Sequence, residues 1–227
     1  GGGAAGLMAA LHAGRSGARV ILADEQTEFG GWLLAENDTR INGVEANSWI
    51  AGMVADLAAM PEVTLLPRTT VFGYMDHNYL TLLERVTDHL AERPAHLPRQ
   101  RLWKVRAGQT VLAQGAHERP LVFSGNDLPG VMLAGAVRHF INRFGVLPGN
   151  RAIVVTNNDD AYRTAISLNE AGANVVVVDL RIGASGPLIT AAKDAGIAVM
   201  AGHAVTLADG KHRVARVEIS PVNEAVS

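Results

Sequence analysis

The chain contains no cysteine. That excludes a redox-active disulfide, a thiolate nucleophile and any zinc or iron–sulfur centre built on this chain's own thiols. It is compatible with a reducing compartment, and a cytoplasmic location is the expectation. Aromatic residues make up only 5% of the chain, too few for a surface that stacks nucleic-acid bases. No basic run stands out and the formal charge is −2, so nucleic acid is not an expected partner. No apolar run reaches the length of a bilayer span and no signal peptide is visible, so no membrane partner is expected either. The eight histidines show no spacing that suits a metal ion.

What the chain does have is glycine and apolar residues. The 227 residues include 24 glycines and are 48% hydrophobic, which fits an α/β protein with many tight strand–helix turns. The most informative glycines come first. Gly1-Gly2-Gly3-Ala4-Ala5-Gly6 has the form G-x-G-x-x-G, and the run from Leu7 to Ser16 reads as a small-residue helix with Leu7, Ala10, Leu11 and Ala13 on its packed side. Without side chains, backbone amides can approach a pyrophosphate closely, and the helix N-terminus then faces the anion. Gly17 ends the helix and Ala18 to Ala23 reads as a buried strand. At its end stand Asp24 and Glu25, about 20 residues past the turn, where a carboxylate accepts bonds from ribose hydroxyls. Either acid fits the spacing. The strand that ordinarily precedes such a turn is absent from the sequence, so a fragment of a longer chain is expected.

Further along, Gly30-Gly31 would let backbone pass close to a bound cofactor. Ser48 to Met60 reads as an amphipathic helix with Ile50, Met53, Val54 and Leu57 at helical spacing, stopped by Pro61. Val63–Pro67 and Thr69–Tyr74 read as a strand and its continuation into a β segment, and on topology Thr70 and Val71 are candidates to lie beside an adenine ring. The stretch 79–86 alternates without declaring its type, and 93–101 reads as a polar, proline-broken connector. Leu102–Ala107 alternates like a half-buried strand and leads to Thr110–Ala113, read as a buried apolar strand ending at Gly115 near the glycine turn. His117, Glu118 and Arg119 read as crossover residues bonded to backbone rather than as acid–base groups.

The βαβ pattern then repeats. A helix over 134–144 precedes a strand at Arg151–Val155, a helix from Asp160 to Ala171 and a strand at Asn174–Asp179. The turn inside this copy is Thr156-Asn157-Asn158-Asp159-Asp160. Its side chains obstruct close backbone approach and its carboxylates repel phosphate, so this is read as a nucleotide fold without its dinucleotide site. A helix at 187–195, a strand at 197–200 and a hairpin turning at Asp209-Gly210 follow. The expected architecture is a Rossmann-like two-dinucleotide-binding α/β fold, with parallel sheets flanked by helices and a β hairpin near the C-terminus. Residues 1–124 form the dinucleotide-binding domain, lacking its first strand and return segment. Residues 125–227 form a second Rossmann-like domain with a degenerate nucleotide loop.

The turn Gly1–Gly6, Asp24-Glu25-Gln26 with Phe29-Gly30-Gly31, Asp76-His77-Asn78-Tyr79-Leu80, Gly115 to Pro120 and Thr156-Asn157-Asn158-Asp159 together resemble the alpha-subunit family of heterotetrameric sarcosine oxidases. The similarity runs over essentially the whole chain, and the broader class is that of two-dinucleotide-binding, glutathione-reductase-like flavoproteins. The resemblance implies a complex that demethylates sarcosine with oxygen to glycine and hydrogen peroxide, passing the one-carbon unit to tetrahydrofolate. It implies an NAD on this subunit that does not turn over, with FAD as the alternative, and FMN and FAD on or shared with a flavin-carrying beta subunit beside smaller subunits. The amine substrate and the folate would bind elsewhere, and no catalytic residue is assigned to this chain. By resemblance Gly1, Gly3 and Gly6 take the pyrophosphate, Asp24 or Glu25 the ribose, and Gly31 and Gly115 are close backbone neighbours. With Ala5 in the turn, Gly30, Thr70 and Val71, these complete the expected cofactor-binding set. Gln114 departs from the class, which commonly has a small hydroxyl residue there. Two other functions remain open: an FAD-binding subunit of a related amine, opine or proline dehydrogenase or a disulfide reductase-like oxidoreductase, and a non-catalytic module that holds an adenine nucleotide for assembly.

Overall fold

The computed structural model describes residues 1–222 and divides into two compact units, one from Gly1 to Ala116 and one that begins at His117. The first opens directly on α1 (Ala4–Arg15), which buries Gly6, Leu7, Ala10 and Leu11. Gly3 is its extended N-cap and offers no side chain to the first-turn amides, so those donors stay free for a ligand. Gly17, at φ 83, closes the helix in the left-handed conformation that glycine adopts without a Cβ clash. Strand β1 (Val20–Ala23) follows. A short 3-10 turn at Gly31–Ala35 leads to β2 (Arg40–Ile41) and β3 (Val44–Glu45). These form a small hairpin whose Asn42-Gly43 turn has both residues at positive φ, as a tight hairpin requires. Helix α2 (Ala46–Ala58) buries Ala46, Ile50, Met53 and Leu57, a spacing that keeps one face inward. Strand β4 (Val63–Leu66) pairs parallel to β1, Val20 opposite Val63 and Ala23 opposite Leu66. Leu7, Leu11, Leu22, Phe29, Ile50, Met53 and Leu57 form the core under this α/β layer.

The first unit continues as an antiparallel sheet in the order β5-β6-β7, made of β5 (Thr69–Met75), β6 (Tyr79–Arg85) and β7 (Gln100–Arg106). The alternation over 79–86, left open by sequence, is therefore a strand, paired on both sides and burying Leu80 and Leu82. The expected strand at 110–113 is not formed. Residues 107–123 have no regular structure, and Val111 and Leu112 are 69% and 62% exposed. Among the described residues no strand pairs with this segment, so its apolar side chains have no sheet to be buried in.

The second unit comprises α3 (Ala134–Asn142), β8 (Arg151–Thr156), α4 (Asp160–Glu170), β9 (Asn174–Asp179), α5 (Pro187–Asp194) and β10 (Ala198–Ala201). The strands form a parallel sheet in the order β10-β9-β8. Its core gathers Val154, Tyr162, Ala165, Leu168, Val175, Val177, Ile189 and Ile197. The unit ends in a hairpin of β11 (His203–Asp209) and β12 (Arg216–Pro221). Its loop is wider than the expected tight turn at Asp209-Gly210. Asp209 pairs with Arg216, and its carbonyl accepts the Ala215 amide at 2.9 Å, so residues 210–215 all lie in the loop. The units divide at Ala116–His117 rather than at 124–125. Ser124 explains the difference: its carbonyl accepts the Ala208 amide at 2.7 Å, which ties the connector to β11. Among the described residues, no helix is long and apolar enough to cross a membrane.

Candidate functional site

At Gly1 and Gly6 backbone occupies the space that a side chain would need, whereas a Cβ on Gly3 would meet nothing nearer than the Gly31 Cα at 4.0 Å. A Cβ on Gly1 would lie 2.1 Å from the Ala113 carbonyl oxygen, and one on Gly6 would lie 1.8 Å from the Gly1 carbonyl oxygen. A Cβ on Gly2 would strike the Phe29 ring at 2.3 Å. The second glycine pair packs against the first. The Gly30 amide donates to the Gly2 carbonyl at 2.8 Å, and Gly31, at φ 56, comes so near that its Cβ would be 3.1 Å from the Gly3 Cα. Ala5 is exposed on the first turn of α1, where a methyl leaves the approach to the helix N-terminus open.

Asp24 and Glu25 separate clearly. The Asp24 carboxylate turns toward the glycines: one oxygen accepts the Gly2 amide and the other the Gln26 amide, the latter at 2.8 Å. Glu25 is exposed, and its backbone carbonyl, not its carboxylate, is engaged, by Arg85 at 2.9 Å. Strand β5 begins beside this acid, because the buried Thr69 donates its amide to the Asp24 carbonyl at 2.7 Å. Thr70 and Val71 come next and are exposed. Gly115, at φ 74, has nothing within 4 Å of a Cβ position, whereas Ala113 lies against Gly1 and Gly6. Ala113 and Phe29 are the wall residues that sequence reasoning missed. The only signal was that each is near a glycine, which is too common to single them out.

The turn between β8 and α4 in the second unit is held by its own side chains. Thr156 Oγ1 accepts the Asn158 amide at 3.0 Å, and Asn158 Oδ1 accepts the Asp160 amide at 3.0 Å, so side chains take the donors that glycines would leave open. Asp179, the last residue of β9, is fully buried. Both of its oxygens are taken: Arg181 donates from Nε at 3.0 Å, from Nη2 at 2.8 Å and from its amide at 2.9 Å, and the Tyr162 hydroxyl donates at 2.8 Å. The remaining Arg181 nitrogen pairs with Asp159 at 2.8 Å, which bridges the end of β9 to the start of α4. Burial alone would raise the Asp179 carboxyl, but its bonds to Arg181 and Tyr162 outweigh that and hold it below the ordinary carboxylate value. Burial first, then the hydrogen bond to Asp179, pushes the Tyr162 phenol well above its ordinary value. Asp160 pairs with Arg138 at 3.2 Å. Of the crossover residues, His117 and Arg119 are exposed, and Glu118 accepts the Gly135 amide at 2.8 Å at the start of α3. Among the described residues no group of three or more histidines or acids could hold a metal ion.

Residues 1–224 match the family described as pyridine nucleotide-disulphide oxidoreductase. The chain belongs to this family. Among curated proteins, this family member is 44% identical over 227 residues to a sarcosine oxidase subunit alpha from Corynebacterium sp. (strain U-96), an alignment covering 99% of this chain and 23% of that protein. A sarcosine oxidase subunit alpha from Rhizobium meliloti (strain 1021) is 50% identical over 182 residues, 80% of this chain and 18% of that protein. The chain thus spans about a fifth of the length of these relatives. Among solved structures, T. acidophilum thioredoxin reductase superposes with a TM-score of 0.70 at 16% identity, over 99% of this chain and 69% of that one, which shows a shared fold. The mixed α/β architecture with parallel sheets and a terminal hairpin is that of this family.

Proposed function

We propose that the first unit holds a single dinucleotide, NAD in the first instance, and that the chain is the dinucleotide-binding segment of the alpha subunit of a sarcosine oxidase-like complex. The observation that carries this is the contrast between two crevices of the same design. One has a glycine turn at a helix N-terminus with backbone packed where Cβ atoms would go; the other is filled by Arg181. Gly1, Gly3, Ala5 and Gly6 would hold the pyrophosphate on the open amides of α1. Asp24, rather than Glu25, would accept the ribose hydroxyls, because its carboxylate already faces the turn. Gly30 and Gly31 would line the same cleft, Ala113 would wall it, and Thr70 and Val71 would lie toward the adenine. Gly115 belongs to the exit of this wall. The residues of this chain bind and orient the dinucleotide, and an NAD held there would not turn over; hydride exchange would be supplied by the flavins elsewhere in the complex.

The alpha-subunit relatives support assembly with partner chains. We place the amine substrate, the folate and the FMN and FAD on other parts of that complex, with a flavin-carrying beta subunit among the partners. The test is to denature the purified full-length protein and identify released nucleotides by mass spectrometry. NAD in a ratio near one per chain supports the reading. FAD moves the chain to the alternative of an FAD-binding subunit. A protein that carries neither, and takes up neither at saturating concentration, ends it.

A further inference from the structure

The hairpin between β5 and β6 turns at Asp76–Asn78, where His77 and Asn78 both hold left-handed backbone, at φ 59 and 52. Asparagine tolerates that region better than most residues. The Asn78 side chain, however, reaches well beyond its own turn. Its Oδ1 accepts the hydroxyl of Tyr74 on β5 at 2.8 Å, and its Nδ2 donates to the Gly108 carbonyl, just past β7, at 3.1 Å. Its backbone carbonyl accepts the Ala107 amide at 3.0 Å. The amide orientation is fixed by chemistry: a carbonyl carries no proton, so only the NH2 end of Asn78 can face Gly108.

This corner stands where the chain leaves the antiparallel sheet for the cleft. Residues 107–116 have no regular structure, yet Ala113 is seated against Gly1 and Gly6. A segment without ladder bonds is placed by what holds its ends. One end is the backbone contact of Ala113 with the glycine turn, and the other is Gly108 on Asn78.

We propose that Asn78 is a positioning residue for the dinucleotide cleft: through its Nδ2 bond to Gly108 it sets the path of residues 109–113 and so holds Ala113 as the wall of the glycine turn. The proposal rests on the dinucleotide reading of the first unit, and its test separates the two. Asn78→Gly keeps the left-handed backbone accessible and removes both side-chain bonds. Asn78→Asp keeps an acceptor for Tyr74 but loses the donor to Gly108. Tyr74→Phe removes only the hairpin bond. In the full-length protein without ligand, tryptic cleavage after Arg106, next to the tethered Ala107-Gly108, is compared with cleavage after Arg213 in the loop of the second unit. Dissociation constants for NAD and FAD are measured beside it.

Asn78→Gly and Asn78→Asp should speed cleavage after Arg106 about fivefold or more, leave cleavage after Arg213 unchanged, and weaken dinucleotide binding about five- to tenfold, the loss of one neutral hydrogen bond in a site that must be preformed. Tyr74→Phe should stay within about twofold in both. Cleavage after Arg106 unchanged in both Asn78 variants overturns the proposal whatever binds. So does faster cleavage with affinity unchanged, or cleavage that rises equally after Arg213, which marks a merely structural role. Failure of the unaltered protein to take NAD or FAD ends the dinucleotide reading instead, while the cleavage pattern still decides whether Asn78 sets the path.

Discussion

Replacing Arg181 by alanine should loosen the end of the second unit's sheet by an amount that can be worked from its contacts. Asp179 loses two charge-assisted bonds, at 3.0 and 2.8 Å, and keeps the Tyr162 hydroxyl at 2.8 Å and the residue 181 amide at 2.9 Å. Removing one member of a fully buried pair costs about 3–5 kcal/mol, because the other charge is left uncompensated. Here the Asp179 side chain is 0% exposed but that of Arg181 is 33% exposed. With two bonds surviving and one partner a third exposed, about 2–3 kcal/mol is the expected loss. Amide exchange over β8 and β9, followed by mass spectrometry, should then run about 30- to 140-fold faster, since about 1.4 kcal/mol is tenfold. Adding Asp179→Asn with Arg181→Met should recover part of the loss, because a neutral amide accepts the Tyr162 hydroxyl without a stranded charge. Exchange over these strands unchanged in Arg181→Ala would refute the claim that the guanidinium locks this crevice. Saturating NAD that slows exchange at β8 and β9 directly would refute the claim that the crevice is closed to nucleotides.

Gly6→Ala sets a methyl 1.8 Å from the Gly1 carbonyl oxygen, so the turn must open. The expected cost is about 1–3 kcal/mol of stability with dinucleotide binding lost, measured by thermal unfolding and calorimetric titration. Asp24→Asn should weaken NAD binding about tenfold or more, as a bond to a charged acceptor becomes a neutral one, whereas Glu25→Gln should change it less than about twofold; equal effects would mean that the wrong acid has been chosen. The pH dependence of the second unit follows from its buried network. Asp179 titrates below its unfolded value, so its contribution is complete above about pH 4 and is lost as pH falls through the folded value; Tyr162 titrates above its unfolded value, so its contribution is complete below about pH 10 and is lost as pH rises beyond it. Melting temperatures across pH should fall off at both ends, and Tyr162→Phe should remove the alkaline decline and shrink the acid one, because Asp179 then loses one of the bonds that hold it low.

The glycine turn, α1, and the β8–α4–β9 repeat were legible in the sequence because they rest on local rules. A missing Cβ, a 3.6-residue period and a short apolar run each declare themselves within a few positions. The segment Thr110–Ala113 shows where such rules stop. Its apolar run is indistinguishable from a buried strand, but burial needs a neighbour, and Val111 and Leu112 face outward for want of one. The choice between Asp24 and Glu25 was equally out of reach, since spacing admits both and only the direction of the carboxylate toward the Gly2 amide separates them.

Arg181 is the deeper case. An arginine two positions past a strand reads as a solvated charge, and nothing local shows that it will reach both Asp179 and Asp159. Yet it changes what the missing glycines at 156–160 mean. Their loss alone would block a pyrophosphate while leaving the Asp179 carboxylate free to take ribose hydroxyls, which is a weaker site rather than none. With both oxygens of Asp179 held by Arg181 and Tyr162, a nucleoside arriving there must displace a charge-assisted pair already in place, at about the 2–3 kcal/mol reckoned above and before any gain from its own hydroxyls. On the proposed reading, the second unit would be closed to nucleotides by what Arg181 holds more than by what its loop lacks.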